Sequence, residues 1–369
     1  MQENESGLIF TVSGKKIQVN RPQPIISDID VVSYKRRMDP QIAVEALVEG
    51  HNVLIADFYS SGLAVLNELK KYVKNKNSDQ SFQGQRDFRS VFRELSHRIL
   101  LFVSHNKLTV RKAPVIGWFS VLYPELDEFL LPFPQVQGLN SSWQWYEKGI
   151  SIPVLNKKIH PFFGTYFPTR FEHLTLFDNW LKKYNGEKKS AIDIGIGSGV
   201  LSFQMLKYGF EKIYGTDSNP NAIFGLHEDL NNTKLNSKIE LMHGNLFADF
   251  DFKTELIVFN PPWLPAYHNM EGLDKAIYYD SNLFPQFFAE AKKHLKEDGR
   301  VVLMFSNLAQ ITKVSEFNPI EAELLKGGRF QKEIFIQKKV SEASKKTRRN
   351  QNWRNSEMVE LWVLKMRNA

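Results

Sequence analysis

Short apolar runs that stop at small or polar residues recur through the second half of the chain. Residues 191–194 run into a glycine-rich stretch at 195–199, and residues 257–259 run into Asn260. Such runs are typical of buried strands that end at loops. By this pattern, strands are expected at residues 191–194, 212–216, 239–242, 256–259, 301–305, 330–337 and 359–366.

Stretches of helical periodicity separate most of these strands. Helices are expected to begin near Thr169, Val200, Asn219 and Leu283. Strands that alternate with helices predict an α/β fold with a doubly wound, mostly parallel sheet of seven strands. The last two strands, which a long basic segment joins, are expected to form an antiparallel pair. Ligands bind such sheets at the carboxyl ends of the strands, so residues 195–199 and 260–263 are the candidate site.

The first 150 residues do not show this regular alternation of strands and helices. Apolar runs flank Ser13-Gly14 and predict a hairpin, and Asp39-Pro40 marks a helix start with Gly50 as its stop. A helix is expected at 60–74 and a loop at 75–85. A further helix is predicted by apolar residues at helical spacing, namely Phe88, Val91, Phe92, Leu95, Ile99 and Phe102.

We therefore divide the chain into an N-terminal α+β domain at residues 1–150 and a second domain at 151–369. Residues 114–146 are rich in aromatic rings, and two interpretations stay open: an aromatic platform for bases or an irregular core, which we favour. Short strands are expected at 152–155 and 159–167. Substrate recognition is a role that the N-terminal domain could serve.

Composition narrows the class of protein. The 369 residues include no cysteine, which excludes disulfides, thiolate nucleophiles and cysteine zinc sites and suits a cytoplasmic protein. No signal-peptide pattern is present, and no apolar run approaches the roughly 20 residues of a membrane span. We expect no metal and no membrane partner. The formal net charge of +7 permits an anionic partner without requiring one.

The glycine-rich stretch has the spacing Gly195-x-Gly197-x-Gly199, with Asp193 two residues earlier. Glycine lets the backbone turn sharply and lets a ligand approach closely. A dinucleotide fingerprint would read G-x-G-x-x-G, so the spacing disfavours a nicotinamide oxidoreductase. Asp217 ends the next strand, where a carboxylate takes the ribose hydroxyls of an adenosine. Together these residues resemble the first motif of class I methyltransferases, which implies S-adenosylmethionine as cofactor.

The stretch Asn260-Pro261-Pro262-Trp263 is the most specific element of the chain. The amide oxygen of Asn260 and the carbonyl of Pro261 can accept both N–H bonds of a planar amine, which favours the charge that the nitrogen gains during methylation. Prolines fix φ and hold these acceptors in place. Trp263 offers a flat face on which a planar group can stack. Asn260, Pro261 and Trp263 are the predicted catalytic residues, and Pro262 and Trp263 are predicted to bind substrate.

With both motifs in place, residues 150–310 resemble the small-domain N-methyltransferases, most closely the release-factor glutamine methyltransferases. The stretches 167–172, 217–222 and 244–247 are similar to segments of that family. Two residues depart from it: Asn245 stands where aspartate is usual, and Trp263 stands where the glutamine enzymes have tyrosine. The resemblance implies cofactor binding by Asp193, Gly195, Gly197, Gly199, Asp217, Ser218, Asn245, Leu246 and Asn260.

The resemblance leaves the substrate open. We expect methyl transfer to a planar nitrogen, first on a base of RNA (rRNA or tRNA) and second on a protein glutamine. A non-catalytic RNA- or cofactor-binding module is a third reading, which the intact Asn260 motif disfavours. The oligomeric state is not predicted.

A basic segment joins the last two strands. Its cations are Lys338, Lys339, Lys345, Lys346, Arg348, Arg349 and Arg354, with Trp353 among them. Basic side chains beside an aromatic ring suit phosphate contacts and base stacking, and Arg348 and Arg349 are predicted to bind substrate. A solvated loop is an equally good interpretation of the same residues.

Overall fold

The computed structural model describes residues 7–76, 82–266, 276–341 and 356–367, with the backbone alone for residues 82–86. The chain forms two compact units. The first unit contains residues 1–9 and 18–147, and the second contains residues 10–17 and 148–369. Within the described residues, no helix is long and apolar enough to cross a membrane.

A hairpin near the start of the chain contributes most of its residues to the second unit. It consists of β1 (Ile9–Val12) and β2 (Lys15–Gln18), as predicted. Ser13 and Gly14 make the turn with φ of 49° and 75°, the sign that tight hairpin turns require. Phe10 of β1 packs edge-on against Phe224, with ring centroids 5.1 Å apart. The hairpin is therefore part of the core of the second unit.

The first unit is built around a small sheet of mixed direction. Strands β3, β4 and β5 pair side by side in parallel, and β6 and β7 pair antiparallel with β5. Asp39 caps α1 through its side chain, and Pro40 is the first helical residue, as predicted. The elements in chain order are β3 (Val31–Tyr34), α1 (Pro40–Val48), β4 (Asn52–Ile55), α2 (Tyr59–Lys76), α3 (Phe82–Ser96), β5 (Ile99–Ser104), β6 (Lys107–Leu108), α4 (Trp118–Leu122), β7 (Glu128–Pro132) and α5 (Phe133–Lys148).

Two predictions for this unit are wrong in part. Ile99 and Phe102 belong to β5 and not to a helix, because residues 99–103 form a continuous apolar run that suits a buried strand equally well. The predicted loop at 75–85 is shorter, since α2 reaches Lys76 and α3 begins at Phe82; residues 77–81 lie outside the described residues.

The aromatic stretch forms part of a regular core. Trp118, Phe119, Tyr123, Phe129 and Phe133 are each at most 2% exposed. They lie on or beside α4, β7 and the start of α5, so the stretch is not irregular. Since these five rings are buried against their neighbours, they do not form a platform for bases.

The second unit alternates strands and helices as predicted. In chain order its elements are β8 (Ile150–Ile152), a 3-10 helix (Pro153–Leu155), β9 (Lys157–Ile159), α6 (Glu172–Leu181), β10 (Ser190–Ile194), α7 (Val200–Lys207), β11 (Lys212–Asp217), α8 (Pro220–Thr233), β12 (Ile239–His243), β13 (Thr254–Phe259), β14 (Leu264–Pro265), β15 (Tyr278–Tyr279), α9 (Leu283–His294), β16 (Leu295–Ser306), α10 (Leu308–Ile311), α11 (Pro319–Lys326), β17 (Phe330–Lys339) and β18 (Met358–Met366).

The short strands expected ahead of this alternation are mostly wrong. Residues 153–155 form a 3-10 helix, and residues 160–167 follow β9 without regular structure. Pro153 and Pro161 lack the N–H that a strand ladder needs, and Gly164 adopts a φ of 72°.

The central sheet has the order β12-β11-β10-β13-β16-β18-β17 among the described residues. The first five strands are parallel, and β18 is antiparallel to both β16 and β17. The predicted α/β fold and the antiparallel pair at its end are confirmed. The chain turns outward from β10 to β11 and later returns to β13 on the other side of β10. The carboxyl ends of β10 and β13 therefore form the switch point at which ligands bind.

Helices cover both faces of this sheet, which makes it doubly wound. Ala191 faces a core that includes α6, α7 and α8, whereas Ile192 faces a core that includes α9 and α11. Every residue of β13 is buried, as expected for a parallel strand covered on both faces. The site described next is thus built on strands that packing holds on both sides.

Candidate active site

Two loops leave the sheet side by side at the switch point. Ile194, the last residue of β10, pairs in register with Phe259, the last residue of β13. The next residues along each strand are Gly195 and Asn260. The two predicted motifs are therefore neighbours at one edge of the sheet, although they lie far apart in sequence.

The glycine-rich loop needs left-handed backbone at its glycines. Gly195 and Gly197 have φ of 64° and 52°, which glycine adopts at little cost. A Cβ built on either residue would meet no atom of the surrounding protein closer than 3.7 Å. The space beside the loop is therefore open to a ligand. Gly199 has φ of 75° and precedes α7 directly, and a Cβ there would meet the side chain of Leu226 at 2.9 Å.

Asp217 holds the glycine loop in place. Its Oδ2 accepts the backbone N–H of Gly197 at 2.9 Å, and its Oδ1 accepts that of Asn219 at 2.8 Å. Burial raises the pKa of Asp217, and these two backbone bonds act against that rise. Each carboxylate oxygen keeps a further lone pair. Asp217 can therefore brace the loop and still accept a hydroxyl of a ligand.

Asp193 lies fully buried beneath the same loop. Its Oδ2 accepts the hydroxyl of Ser202 at 2.6 Å, but its Oδ1 has no hydrogen-bond partner among the described residues. Burial raises the pKa of Asp193 to about 7; the bonds from Ser202 oppose this rise and the charge of Asp217 adds to it. An orphaned carboxylate oxygen under an open glycine loop fits the ammonium group at the amino acid end of S-adenosylmethionine.

The stretch at 244–247 is folded back on β11. The backbone N–H of Gly244 bonds to the carbonyl of Asp217 at 3.0 Å, and the hydroxyl of Thr216 donates to the carbonyl of Leu246 at 2.5 Å. Leu246 is buried with φ of 45°. Asn245 and Ser218 are exposed at the same edge of the sheet. The structure thus brings these predicted cofactor residues to the carboxyl ends of β11 and β12.

The loop at residues 260–263 contains a hydrogen bond that the sequence did not indicate. The indole Nε1–H of Trp263 donates to Oδ1 of Asn260 at 3.2 Å. The side-chain amide of Asn260 has two orientations related by a flip, and the indole N–H can donate only to the one in which the amide oxygen faces it. Pro261 is buried and Pro262 is half-buried between these two residues. Trp263 therefore does more than offer a flat face, because it also fixes the orientation of Asn260.

The ring of Trp263 is itself held from the side. His173 of α6 meets it edge-on, with ring centroids 5.7 Å apart at an angle of 90°. Burial lowers the pKa of His173 to about 4, against the opposing charge of Glu172. The imidazole is therefore neutral near pH 7. No periodic signal distinguished His173 from an ordinary core residue, so sequence reasoning missed this support.

A segment upstream of α6 was also missed. The side chains of Asn219 and Asn221 donate to the carbonyls of Gly164 and Phe163, each at 2.8 Å. These bonds hold residues 163–166 beside the glycine loop, where the carbonyl of Tyr166 would lie 3.7 Å from a Cβ on Gly197. The positive φ of Gly164 allows the turn. Only the isolated glycine among apolar residues could have pointed to it.

Residues on either side of the basic segment lie next to α6. Arg170 and Glu357 form an ion pair at 2.5 Å, and Glu172 accepts the backbone N–H of Ser341 at 2.9 Å. The predicted substrate residues Arg348 and Arg349 lie outside the described residues. Of the described segment, Lys338 and Lys339 are exposed on β17. Among the described residues, no cluster of three or more His, Cys, Asp or Glu could hold a metal ion.

With this geometry established, the chain can be compared with known proteins. Residues 175–325 match the family described as "Methyltransferase small domain". A protein of Methanocaldococcus jannaschii, provisionally named a protein N5-glutamine methyltransferase, is 30% identical over 167 residues; the match covers 43% of this chain and 80% of that protein. The chain therefore belongs to the small-domain methyltransferase family. It is an S-adenosylmethionine-dependent methyltransferase with a class I, Rossmann-like fold.

Other matches cover smaller parts of their proteins or carry less identity. A ribosomal protein L11 methyltransferase of Lachnospira eligens is 36% identical over 88 residues, which are 23% of this chain and 28% of that protein. A solved ribosomal protein L11 methylase of Lactobacillus delbrueckii superposes with a TM-score of 0.38 and 19% identity, over 56% of this chain and 83% of that one. The chain thus spans about a quarter of the L. eligens relative.

Proposed function

We propose that this enzyme methylates a planar nitrogen, and that the nitrogen is the exocyclic amine of a base in RNA. The observation that supports a planar nitrogen most directly is the orientation of Asn260 at the switch point, where its amide oxygen accepts the indole N–H of Trp263 at 3.2 Å. A planar amine has a delocalised lone pair and is a poor nucleophile. It needs acceptors that favour its developing positive charge more than it needs a strong base.

The residues around the cofactor divide the work of holding it. Asp217 would accept ribose hydroxyls, Asp193 would face the amino acid end, and residues 244–247 would border the adenine. S-Adenosylmethionine supplies an activated methyl group on a sulfonium. The open space beside Gly195 and Gly197 adjoins Asn260 through the paired ends of β10 and β13. This arrangement would bring cofactor and substrate nitrogen together at one edge of the sheet.

The acceptor pair acts on the substrate nitrogen. Oδ1 of Asn260 has a lone pair left after the bond from Trp263, and the carbonyl of Pro261 lies one residue further on. Together they can accept both N–H bonds of an amine and hold it in its plane. After methyl transfer the cationic nitrogen is acidic and releases one proton to solvent water, so a base with a shifted pKa is not required. Trp263 would stack on the flat group that carries the amine.

A protein glutamine is the second candidate substrate, and one observation favours it. The M. jannaschii relative carries that activity in its provisional name and is 30% identical over 167 residues. A glutamine side chain presents the same planar N–H pair to the same acceptors. At Trp263 this chain differs from the glutamine enzymes that it resembles, which have tyrosine there. The chemistry of the site therefore supports a planar nitrogen more strongly than it supports either RNA or protein as the substrate.

The test is transfer of a labelled methyl group from S-adenosylmethionine to separate pools of total RNA and total protein. We expect label in RNA with the wild-type enzyme and loss of that label with Asn260→Ala. Label in protein alone, equally dependent on Asn260, would transfer the assignment to glutamine. Label that persists in the Asn260→Ala variant would contradict the planar-nitrogen mechanism.

A further inference from the structure

The first unit carries a basic surface at the ends of its own parallel strands. Arg36 follows β3, Asp57 and Phe58 follow β4, and Arg111 lies in the segment after β6. Carboxyl ends of adjacent parallel strands are the usual place for ligands in α/β sheets. Here those ends are occupied by guanidinium groups and an aromatic ring.

Backbone hydrogen bonds lock these residues together. The N–H of Arg36 donates to Oδ2 of Asp57 at 2.7 Å, the N–H of Arg111 donates to the carbonyl of Asp57 at 2.7 Å, and the N–H of Tyr59 donates to the carbonyl of Arg111 at 3.0 Å. All these bonds use backbone atoms of the two arginines. These bonds fix the backbone of both arginines and do not involve their guanidinium groups.

Both guanidinium groups lie close to one ring. The Cζ atoms of Arg36 and Arg111 are 5.6 and 5.8 Å from the centre of the Phe58 ring, within the range of cation–π attraction. Phe58 is half-buried, whereas both arginines are exposed. Neither guanidinium forms an ion pair within the described part of the chain. The result is a fixed ring flanked by two available cations.

The charge around this ring is strongly unbalanced. Residues 35–39, 56–58 and 111–112 contain five cationic side chains and two carboxylates. Both carboxylates are engaged by the fold: Asp39 accepts the N–H of Gln41 at 3.0 Å, and Asp57 accepts Ser61, Phe58 and Arg36. The cations are Lys35, Arg36, Arg37, Arg111 and Lys112, and all five are exposed. We name these five residues with Phe58 the Arg36–Arg111 patch.

We propose that the Arg36–Arg111 patch binds the phosphate backbone of an RNA, with an unstacked base on Phe58. This rests on the proposed function for the choice of RNA. Guanidinium groups bind phosphate oxygens in pairs of parallel hydrogen bonds. Single-stranded RNA is held by exposed aromatic rings and arginines together. An acidic peptide would bind the cations but has no base to stack on the ring.

The test measures binding of a fluorescein-labelled single-stranded RNA oligonucleotide to the full-length protein by fluorescence anisotropy at several salt concentrations. In R36E/R111E we expect affinity to fall by roughly tenfold or more for each lost phosphate contact, tenfold being about 1.4 kcal/mol. The slope of log affinity against log salt should fall by about 0.7 per contact. Because both arginines bond through their backbones, the variant should fold normally.

Three further variants separate charge from stacking. K70E/K74E makes the same charge change on exposed residues further along α2, and it should leave affinity nearly unchanged. R36K/R111K should keep the salt slope, because the charges remain. Phe58→Leu should weaken binding by about fivefold or more with the slope unchanged, since the ring carries no charge. Equal loss in K70E/K74E would overturn the proposal, because any cation would then serve.

Competition experiments identify the ligand class. Unlabelled RNA should displace the probe, whereas polyglutamate at equal charge should not; displacement by polyglutamate would assign the patch to acidic proteins and overturn the RNA proposal. Methyl transfer to RNA is measured separately. If the wild-type enzyme methylates RNA but R36E/R111E binds RNA normally, the proposal that the patch binds RNA is wrong and the proposed function stands. If RNA binding depends on the patch but RNA is not methylated, the proposal that RNA is the substrate is wrong and RNA binding by the patch stands.

Discussion

Two sheets in this chain present the carboxyl ends of parallel strands, and they carry opposite chemistry. In the second unit, glycines follow β10, Asp217 ends β11, and Asn260 follows β13. In the first unit, β3 leads to Arg36, and β4 leads to Asp57 and Phe58. The carboxylate of Asp57 accepts the N–H of Phe58 at 2.6 Å, so the backbone at the start of α2 is already bonded to a side chain of the protein. The carboxyl ends of parallel strands therefore define where a ligand binds, and the residues at those ends define which ligand binds.

The difference also extends to what the backbone must do. Gly195 and Gly197 adopt positive φ, so the loop after β10 stays open beside Asp217. The segment after β4 enters α2 directly with ordinary side chains. An open loop with carboxylates suits an ammonium group and ribose hydroxyls. A closed strand end with guanidinium groups suits phosphates.

Of the substitutions at the two strand ends, removal of the Asn260 amide should have the largest effect on activity. We expect Asn260→Ala to lower kcat by about 10²–10³, as for the loss of one oxyanion-type contact, while cofactor affinity stays the same. The reason is that the acceptor matters most as the nitrogen gains charge. Single-turnover rates give the chemical step directly. Asn260→Asp, which keeps an acceptor oxygen, is the matched control and should retain more activity than the alanine variant.

Loss of the carboxylate at Asp217 should have the next largest effect. Asp217→Ala should weaken S-adenosylmethionine binding by one to two decades, since charge-assisted hydrogen bonds contribute about 1.5–3 kcal/mol. Part of the loss arises because the N–H groups of Gly197 and Asn219 lose their acceptor. Asp217→Asn keeps one acceptor oxygen and should lie between. Calorimetric titration checks both, and unchanged affinity in both would remove Asp217 from the cofactor site.

The bond from Trp263 to Asn260 should have a smaller and more selective effect. Trp263→Phe keeps a flat ring and removes the N–H, so kcat should fall by about three- to tenfold, equivalent to a neutral hydrogen bond of roughly 0.5–1.5 kcal/mol. KM should change little. Trp263→Ala should also raise KM, because the stacking face is lost. Steady-state kinetics with RNA substrate separate the two, and an unchanged kcat in Trp263→Phe would show that the bond does not orient Asn260.

The smallest effect concerns stability and comes from Asp193. Its pKa rises from 3.8 to about 7 on folding, chiefly through burial. Between these values the folded protein binds a proton that the unfolded chain releases, so stability is greatest below the lower value and is lost as pH rises through the higher one. Asp193→Asn cannot titrate. Its Tm relative to wild type should therefore be higher at a pH of about 8 than at a pH of about 4.

Scanning calorimetry of both proteins across this range measures the difference. Exposed Asp251→Asn serves as the control and should leave the pH dependence of Tm as in the wild type. A pH dependence of Tm that is the same in Asp193→Asn and wild type would show that Asp193 does not change its protonation on folding.

Much of the second unit could be predicted from the sequence because its signals are local. Apolar runs gave the central strands, and Pro220 after Asn219 gave the start of α8, where the Asn219 side chain caps the N–H of Asn221 at 3.1 Å. The first unit was harder. Residues 99–103 are apolar throughout, so a helical period and a strand period fit them equally.

The candidate site divides in the same way. Motifs identified Asp217 and Asn260, because their residue types imply their chemistry. The indole bond of Trp263 and its contact with His173 depend on side chains that the fold brings together, and no spacing encodes them. The Arg36–Arg111 patch is spread over three segments of the first unit. Such a surface becomes visible only when pairing of the strands is known.

The atom that receives the methyl group distinguishes transfer to an exocyclic amine from every other methylation of RNA. RNA labelled by the wild-type enzyme with S-adenosylmethionine is digested to nucleosides, and the methylated product is identified by mass spectrometry against synthetic standards. We expect a nucleoside methylated on an exocyclic amine, and we expect its yield to be lost in Asn260→Ala. A methyl group on carbon or on a ribose oxygen would contradict the proposed mechanism, because neither atom needs the acceptor pair that Asn260 and Pro261 provide.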